Sequence, residues 1–218
     1  MEKAYRNISY LFVAVLILVF LAFFKTYFGL FPTFTGTTTL VHVHAVTILL
    51  WFAMLIGQPI LIRRKQVALH RAIGKVSYGL VPVMVICFLL MARQHQLRGK
   101  DLVLFVYNTF DISLFVLFYI PAIVYKRQPA YHARFMVMTV LPFLGATIGR
   151  LPSFPIPGAV LGLLIIIGLL VYERFTRRVY KPYLISLITF VGLLIGCVSI
   201  LSVGARVLHT LWNACFGG

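Results

Sequence analysis

Acidic side chains are what this chain has least of: 4 Asp and Glu stand against 20 Lys and Arg in 218 residues. Charge of either sign is scarce at 11% of positions, while apolar residues fill 61%. That balance excludes an ordinary soluble globular domain. Cysteine is scarce too. Cys87 and Cys197 fall inside apolar stretches and Cys215 lies near the C-terminus, with no paired spacing. A disulfide framework or thiolate metal site is therefore not indicated, and packing roles are expected. The net charge of +16 does not predict a nucleic-acid partner. The bases sit in short clusters at helix ends, such as Arg63, Arg64 and Lys65, or Arg174, Arg177 and Arg178, where orientation and anionic lipid account for them.

What the chain does have is long apolar runs. At about 20 residues per crossing, seven can be read: 9–31, 40–62, 76–92, 102–125, 135–150, 158–173 and 182–205. The expectation is one all-α integral membrane domain over 1–218, a bundle of seven transmembrane helices whose first partner is the lipid bilayer. The first run follows Lys3 and Arg6 like a signal sequence, but no small-residue cleavage pattern follows it before Lys25, so it is read as a retained helix. Sorted by this topology, 14 of the basic residues accompany the N-terminus and the second, fourth and sixth connectors, and 6 fall on the other side. The positive-inside rule then puts the N-terminus in the cytoplasm and the C-terminus outside. A retinal receptor is excluded, because no Lys lies between Tyr183 and Arg206 to form a Schiff base.

Two helix ends repeat each other. PILIRRKQVALH (Pro59 to His70) and PAIVYKRQPAYH (Pro121 to His132) align without gaps at an offset of 62, sharing Pro, Gln, Ala and His. A duplication of helices 2–3 and 4–5 would place the two histidines about a pseudo-symmetry axis; a generic likeness between basic helix ends is the plainer alternative. The segment from Leu151 to Gly158, with Pro152, Pro155 and Pro157, is expected to be a non-helical turn.

Several polar residues fall where hydrocarbon makes them costly. Asp111 lies about 13 Å into the fourth run at 1.5 Å per residue, where an ionised carboxylate costs about 3 kcal/mol, so it should face inward. Asn108 shares its face, with Phe115 and Tyr119 continuing the stripe. In the second run His44, Thr47, Trp51 and Gln58 recur at spacings of three, four and seven, within one narrow helical face. His44 is close enough in depth to Asp111 for an imidazole–carboxylate contact, and Arg150 could neutralise Asp111 or bind an anionic group. Paired imidazoles such as His70 and His132 hold b-type haem or a transition metal, or carry protons. The plainer readings are an interfacial His, a snorkelling Arg and a protonated Asp bonded to a neighbouring helix. His42, His95 and His209 are expected at interfaces or in exposed segments.

With Gln58 and the His42/His44 pair upstream, LHRAIGKVSY (Leu69 to Tyr78) resembles a bacterial multi-pass membrane family known as domain of unknown function 2306. The pattern there is a His-Arg-x-x-Gly-x-x-Tyr run after a helix with an early His and a late Gln. His132 to Arg150, followed by Leu151, is similar to that family's second segment, with Arg134 and Met136 matching and Phe135 in place of Trp. The resemblance covers residues 40–152. It implies that His44, His70, His132 and Arg150 are recurring polar positions and that the protein sits in the bacterial inner membrane; it implies no activity.

No motif fixes a reaction. The residues admit a haem- or metal-binding redox protein using His70, His132 and His44, a small proton-coupled carrier using Asp111, or a non-catalytic assembly subunit with membrane-protein partners. The fourth helix offers Asn108 and Asp111 where a second haem pair would need an outer histidine.

Overall fold

The computed structural model describes residues 7–97, 102–151, 157–176 and 181–203, with Thr210 and Asn213. Among the described residues every regular element is helical: α1 (Ile8–Ala22), α2 (Thr39–Arg63), α3 (Val67–Leu97), α4 (Leu102–Val124), α5 (Pro129–Met138), α6 (Leu141–Ile148), α7 (Gly158–Phe175) and α8 (Lys181–Val203). Five of them, α2, α3, α4, α7 and α8, are long and apolar enough to cross a membrane. Their outward faces carry large apolar side chains, among them Leu50, Val76, Ile86, Ile120, Ile188 and Ile195. A soluble monomer does not expose so much contiguous hydrocarbon, and a lipid bilayer suits it.

Two runs fold differently from the uniform helices read in the sequence. The first is helical only to Ala22, and its 15 residues reach about 22 Å, short of a hydrocarbon core of about 30 Å. Beyond it the chain turns back through a 3-10 turn at Phe28–Leu30, fixed to the start of α2 by His42. The Tyr27 hydroxyl meets His42 Nδ1 at 2.9 Å, and the Thr37 hydroxyl meets Nε2 at 3.0 Å.

The fifth run is broken between Met138 and Leu141. Pro142 has no N–H, and its ring clashes with the carbonyl four residues back. The chain tightens there, with Val140 N–H donating to the Val137 carbonyl at 3.2 Å and Phe143 N–H to Val140 at 3.1 Å. In place of one helix over 135–150 the structure has the pair α5 and α6. Conversely, α3 begins at Val67, so the polar stretch before residue 76 is helical as well.

Hairpins α2–α3 and α4–α5 pack side by side, with α4 also touching α6 and α8, and α1 lying on α2 and α6. Trp51, Phe52, Leu114, Phe118, Phe135, Ile166, Tyr183 and Phe190 fill the interior. The connectors α2–α3 and α4–α5, with Arg64, Lys65, Lys126 and Arg127, mark one end of the bundle, called here the basic end. The turn after α1 and the end of α6 mark the opposite end. Gly145 and Gly158 let α6 and α7 nearly touch: a Cβ on Gly158 would lie 2.6 Å from the Gly145 Cα. Small residues at such crossings are the usual means of close helix approach in lipid.

Candidate intramembrane sites

Near the opposite end, α1, α2, α3, α4 and α6 surround a cavity of about 80 Å³, room for a few waters or one small solute. Its wall is apolar (Val19, Phe23, Ile48, Met84, Phe88, Phe115 and Phe143 among others), interrupted by His44, Asp111 and Thr147. Asp111 turns inward, as its depth in α4 requires. Its carboxyl lies over the bare backbone of Gly145, where an added Cβ would come within 3.0 Å of one oxygen and 3.2 Å of the other. Glycine at this position makes the space the carboxyl occupies.

The imidazole–carboxylate contact read in the sequence is not made. His44 and Asp111 share the cavity wall, but the His44 ring rests on Phe88, centroids 5.7 Å apart, and its Nδ1 is buried with no partner. Nor does Arg150 neutralise Asp111. Its guanidinium stacks on Phe23, 4.4 Å from the ring centre, and donates to the Ala146 carbonyl at 2.8 Å. Helix α6 ends at Ile148, so the Arg150 side chain folds back along the last turn and over Phe23 at the cavity wall. Asn108 is half-buried and is not among the cavity-lining residues.

The rest of the α2 stripe faces the interior as its spacing requires. Thr47 donates to the His44 carbonyl at 2.9 Å. Trp51 is packed edge-on to Phe115 and Tyr119, at 5.2 and 5.7 Å, and its indole N–H finds no acceptor. Tyr119 instead shares a hydrogen bond of 2.8 Å with Ser77 of α3, tying the two hairpins together. Gln58 lies a turn from the basic end with both side-chain amide atoms buried and unbonded.

At the basic end His70 and His132 meet. Their ring centroids are 6.4 Å apart with the planes at 88°. His132 Nδ1 lies 2.7 Å from the Ala122 carbonyl, a helix-end acceptor freed as α4 unwinds. The His70 Nδ1 is buried without a partner. No cluster of three or more His, Cys, Asp or Glu that could hold a metal occurs among the described residues; among them, a third ligand at this pair would be of another residue type.

The sequence reading missed one pair. Arg134 of α5 and Glu173 of α7 form an ion pair in which Nη2 donates to both carboxylate oxygens, at 3.0 and 2.8 Å, with both side chains at most 1% exposed. Arg134 also donates to the Ala130 carbonyl at 2.8 Å. A signal was available: Glu173 is one of only four acids, at the end of an apolar run. Cys87 and Cys197 are free and buried. His209, Cys215 and the His95 side chain lie outside the described residues. No family model, no curated protein and no solved structure matches this chain.

Proposed function

We propose that this chain is a small proton-coupled carrier of the bacterial inner membrane, with its N-terminus inside and its C-terminus outside, and with Asp111 as the coupling group. In this reading α1 and the α5–α6 pair add two crossings to the five long helices, giving a seven-helix bundle. The observation that carries the reading is the inward Asp111 carboxyl: it borders the cavity and makes no hydrogen bond or ion pair among the described residues. An ionised carboxylate so placed is costly by about 3 kcal/mol, so the site gains by holding a proton or a cation. The neighbouring element is interrupted. The α5–α6 break lies next to Pro142 and Phe143 of the cavity wall, and broken helices beside a buried ionisable group are a recurring construction of carrier binding sites.

The test is solute-driven proton movement in proteoliposomes that enclose a pH-sensitive dye, with small organic acids, amino acids and inorganic cations offered in turn. At least one solute should change the internal pH with the wild type and none with Asp111→Asn. A wild type that moves protons with none of them contradicts the proposal.

A second reading, a metal- or haem-binding protein, draws support from the meeting of His70 and His132 at the other end of the bundle. It does not depend on Asp111.

A further inference from the structure

We propose that His70 and His132, with the Gln58 amide, hold one divalent transition-metal ion at the basic end of the bundle. The proposal rests on the metal-binding reading, deepens it by naming a bare ion and its ligands, and is independent of the carrier reading.

The Ala122 contact fixes the tautomer of His132. A backbone carbonyl can only accept, so the 2.7 Å contact to Ala122 puts a hydrogen on Nδ1 and leaves Nε2 with a free lone pair. A metal-bound histidine is commonly fixed in this way, its other ring nitrogen donating to a backbone carbonyl, which orients the ring and raises its basicity. The His70 Nδ1 is buried and unbonded, and in the tautomer with its hydrogen on Nε2 it offers a second lone pair.

Separation is the next constraint. Two metal–nitrogen bonds of about 2.0–2.1 Å, extended through each ring to its centre, put imidazole centroids about 5.2 Å apart at a tetrahedral angle and about 6.4 Å apart only when the two bonds are collinear. The observed 6.4 Å is that collinear limit, so closing on a tetrahedral ion brings the two rings about 1 Å nearer.

The Gln58 amide supplies the third donor. Both of its polar atoms are buried and unbonded, a state that costs about 1–3 kcal/mol for each group left unsatisfied. Gln58 lies in the last two turns of α2, the helix that leads into α3 and His70, and its amide oxygen would complete a set of two nitrogens and one oxygen. Imidazole favours zinc, copper, nickel and iron over magnesium or calcium, which defines the class of ion. An ion bound here would join α2, α3 and α5, its two imidazoles coming from matching positions of the similar helix ends.

The experiment uses the full chain in detergent, freed of any histidine tag and stripped with chelator, then titrated with Co2+ as a visible-absorption probe and with Zn2+ in competition. One equivalent should bind. His70→Ala and His132→Ala should each weaken it by at least the roughly 100-fold that loss of even an outer-shell partner can cause. Gln58→Leu should weaken it less, and His44→Ala, at the other end, should leave it unchanged. Far-UV circular dichroism of each variant checks that it folds, and added Zn2+ should raise the melting temperature of the wild type but not of the two alanine variants. Full-strength binding in both folded alanine variants overturns the proposal. A haem absorption band in the purified protein that both variants lose overturns the bare ion and keeps the wider metal-binding reading. Neither haem nor bound Co2+ or Zn2+ overturns both.

Discussion

The Arg134–Glu173 pair gives the sharpest test of how this bundle is held together. Both side chains are essentially fully buried, and one guanidinium nitrogen meets both carboxylate oxygens, at 2.8 and 3.0 Å. Removing one partner therefore leaves an uncompensated charge in a low-dielectric interior. Breaking such a pair costs about 3–5 kcal/mol, whereas replacing both members by apolar residues of similar volume is close to neutral. Glu173→Leu and Arg134→Met should each raise the unfolding equilibrium constant by roughly 10²–10⁴-fold. The double variant should recover most of that loss, giving a large coupling energy in the double-mutant cycle. Unfolding by denaturing detergent in mixed micelles, followed by far-UV circular dichroism, reads all four proteins. Single variants within about 0.5 kcal/mol of wild type, the range of ordinary surface substitutions, would refute the reasoning and mean that the pair is hydrated rather than buried.

Other outcomes follow from the same packing. Gly158→Ala, whose new methyl would sit 2.6 Å from the Gly145 Cα, should force α6 and α7 apart and destabilise the bundle by about 1–3 kcal/mol, as measured in the same unfolding assay. Gly145→Ala should be milder in stability, since the contact is with the Asp111 carboxyl at 3.0 Å, but should impair any Asp111-dependent proton movement. Trp51→Phe should change stability by less than a comparable core truncation, because the indole N–H it removes has no acceptor and an unsatisfied buried donor is itself a cost of about 1–3 kcal/mol. His42→Ala should free the 23–38 turn by removing the bonds to Tyr27 and Thr37, seen as faster cleavage there by added protease.

How much of this was legible in the sequence depends on what each residue's neighbours reveal. Asp111 could be turned inward from depth alone, since a lone carboxylate in hydrocarbon has nowhere cheaper to point. What it would meet could not be read: Arg150 is close along the chain but spends its charge on Phe23, and Gly145 signals nothing until a carboxyl is seen lying on it. The meeting of His70 and His132 was foreshadowed by the 62-residue offset between their helix ends. Glu173 stayed hidden because Arg174, Arg177 and Arg178 beside it make the helix end read as a solvated basic interface, and its partner lies 39 residues away. The break in the fifth run was hidden by hydropathy, which averages over Pro142 although the missing N–H is a local event.

Accessibility of the cavity from the two faces of the membrane tests the carrier account most directly. In a variant with Cys87, Cys197 and Cys215 replaced, Ala146→Cys puts a thiol in the cavity wall for membrane-impermeant maleimides applied to sealed vesicles of either orientation. The account predicts labelling from both faces, in proportions that shift when the transmembrane pH gradient is reversed and that stop shifting when Asp111→Asn is added. Labelling confined to one face under every gradient would contradict it.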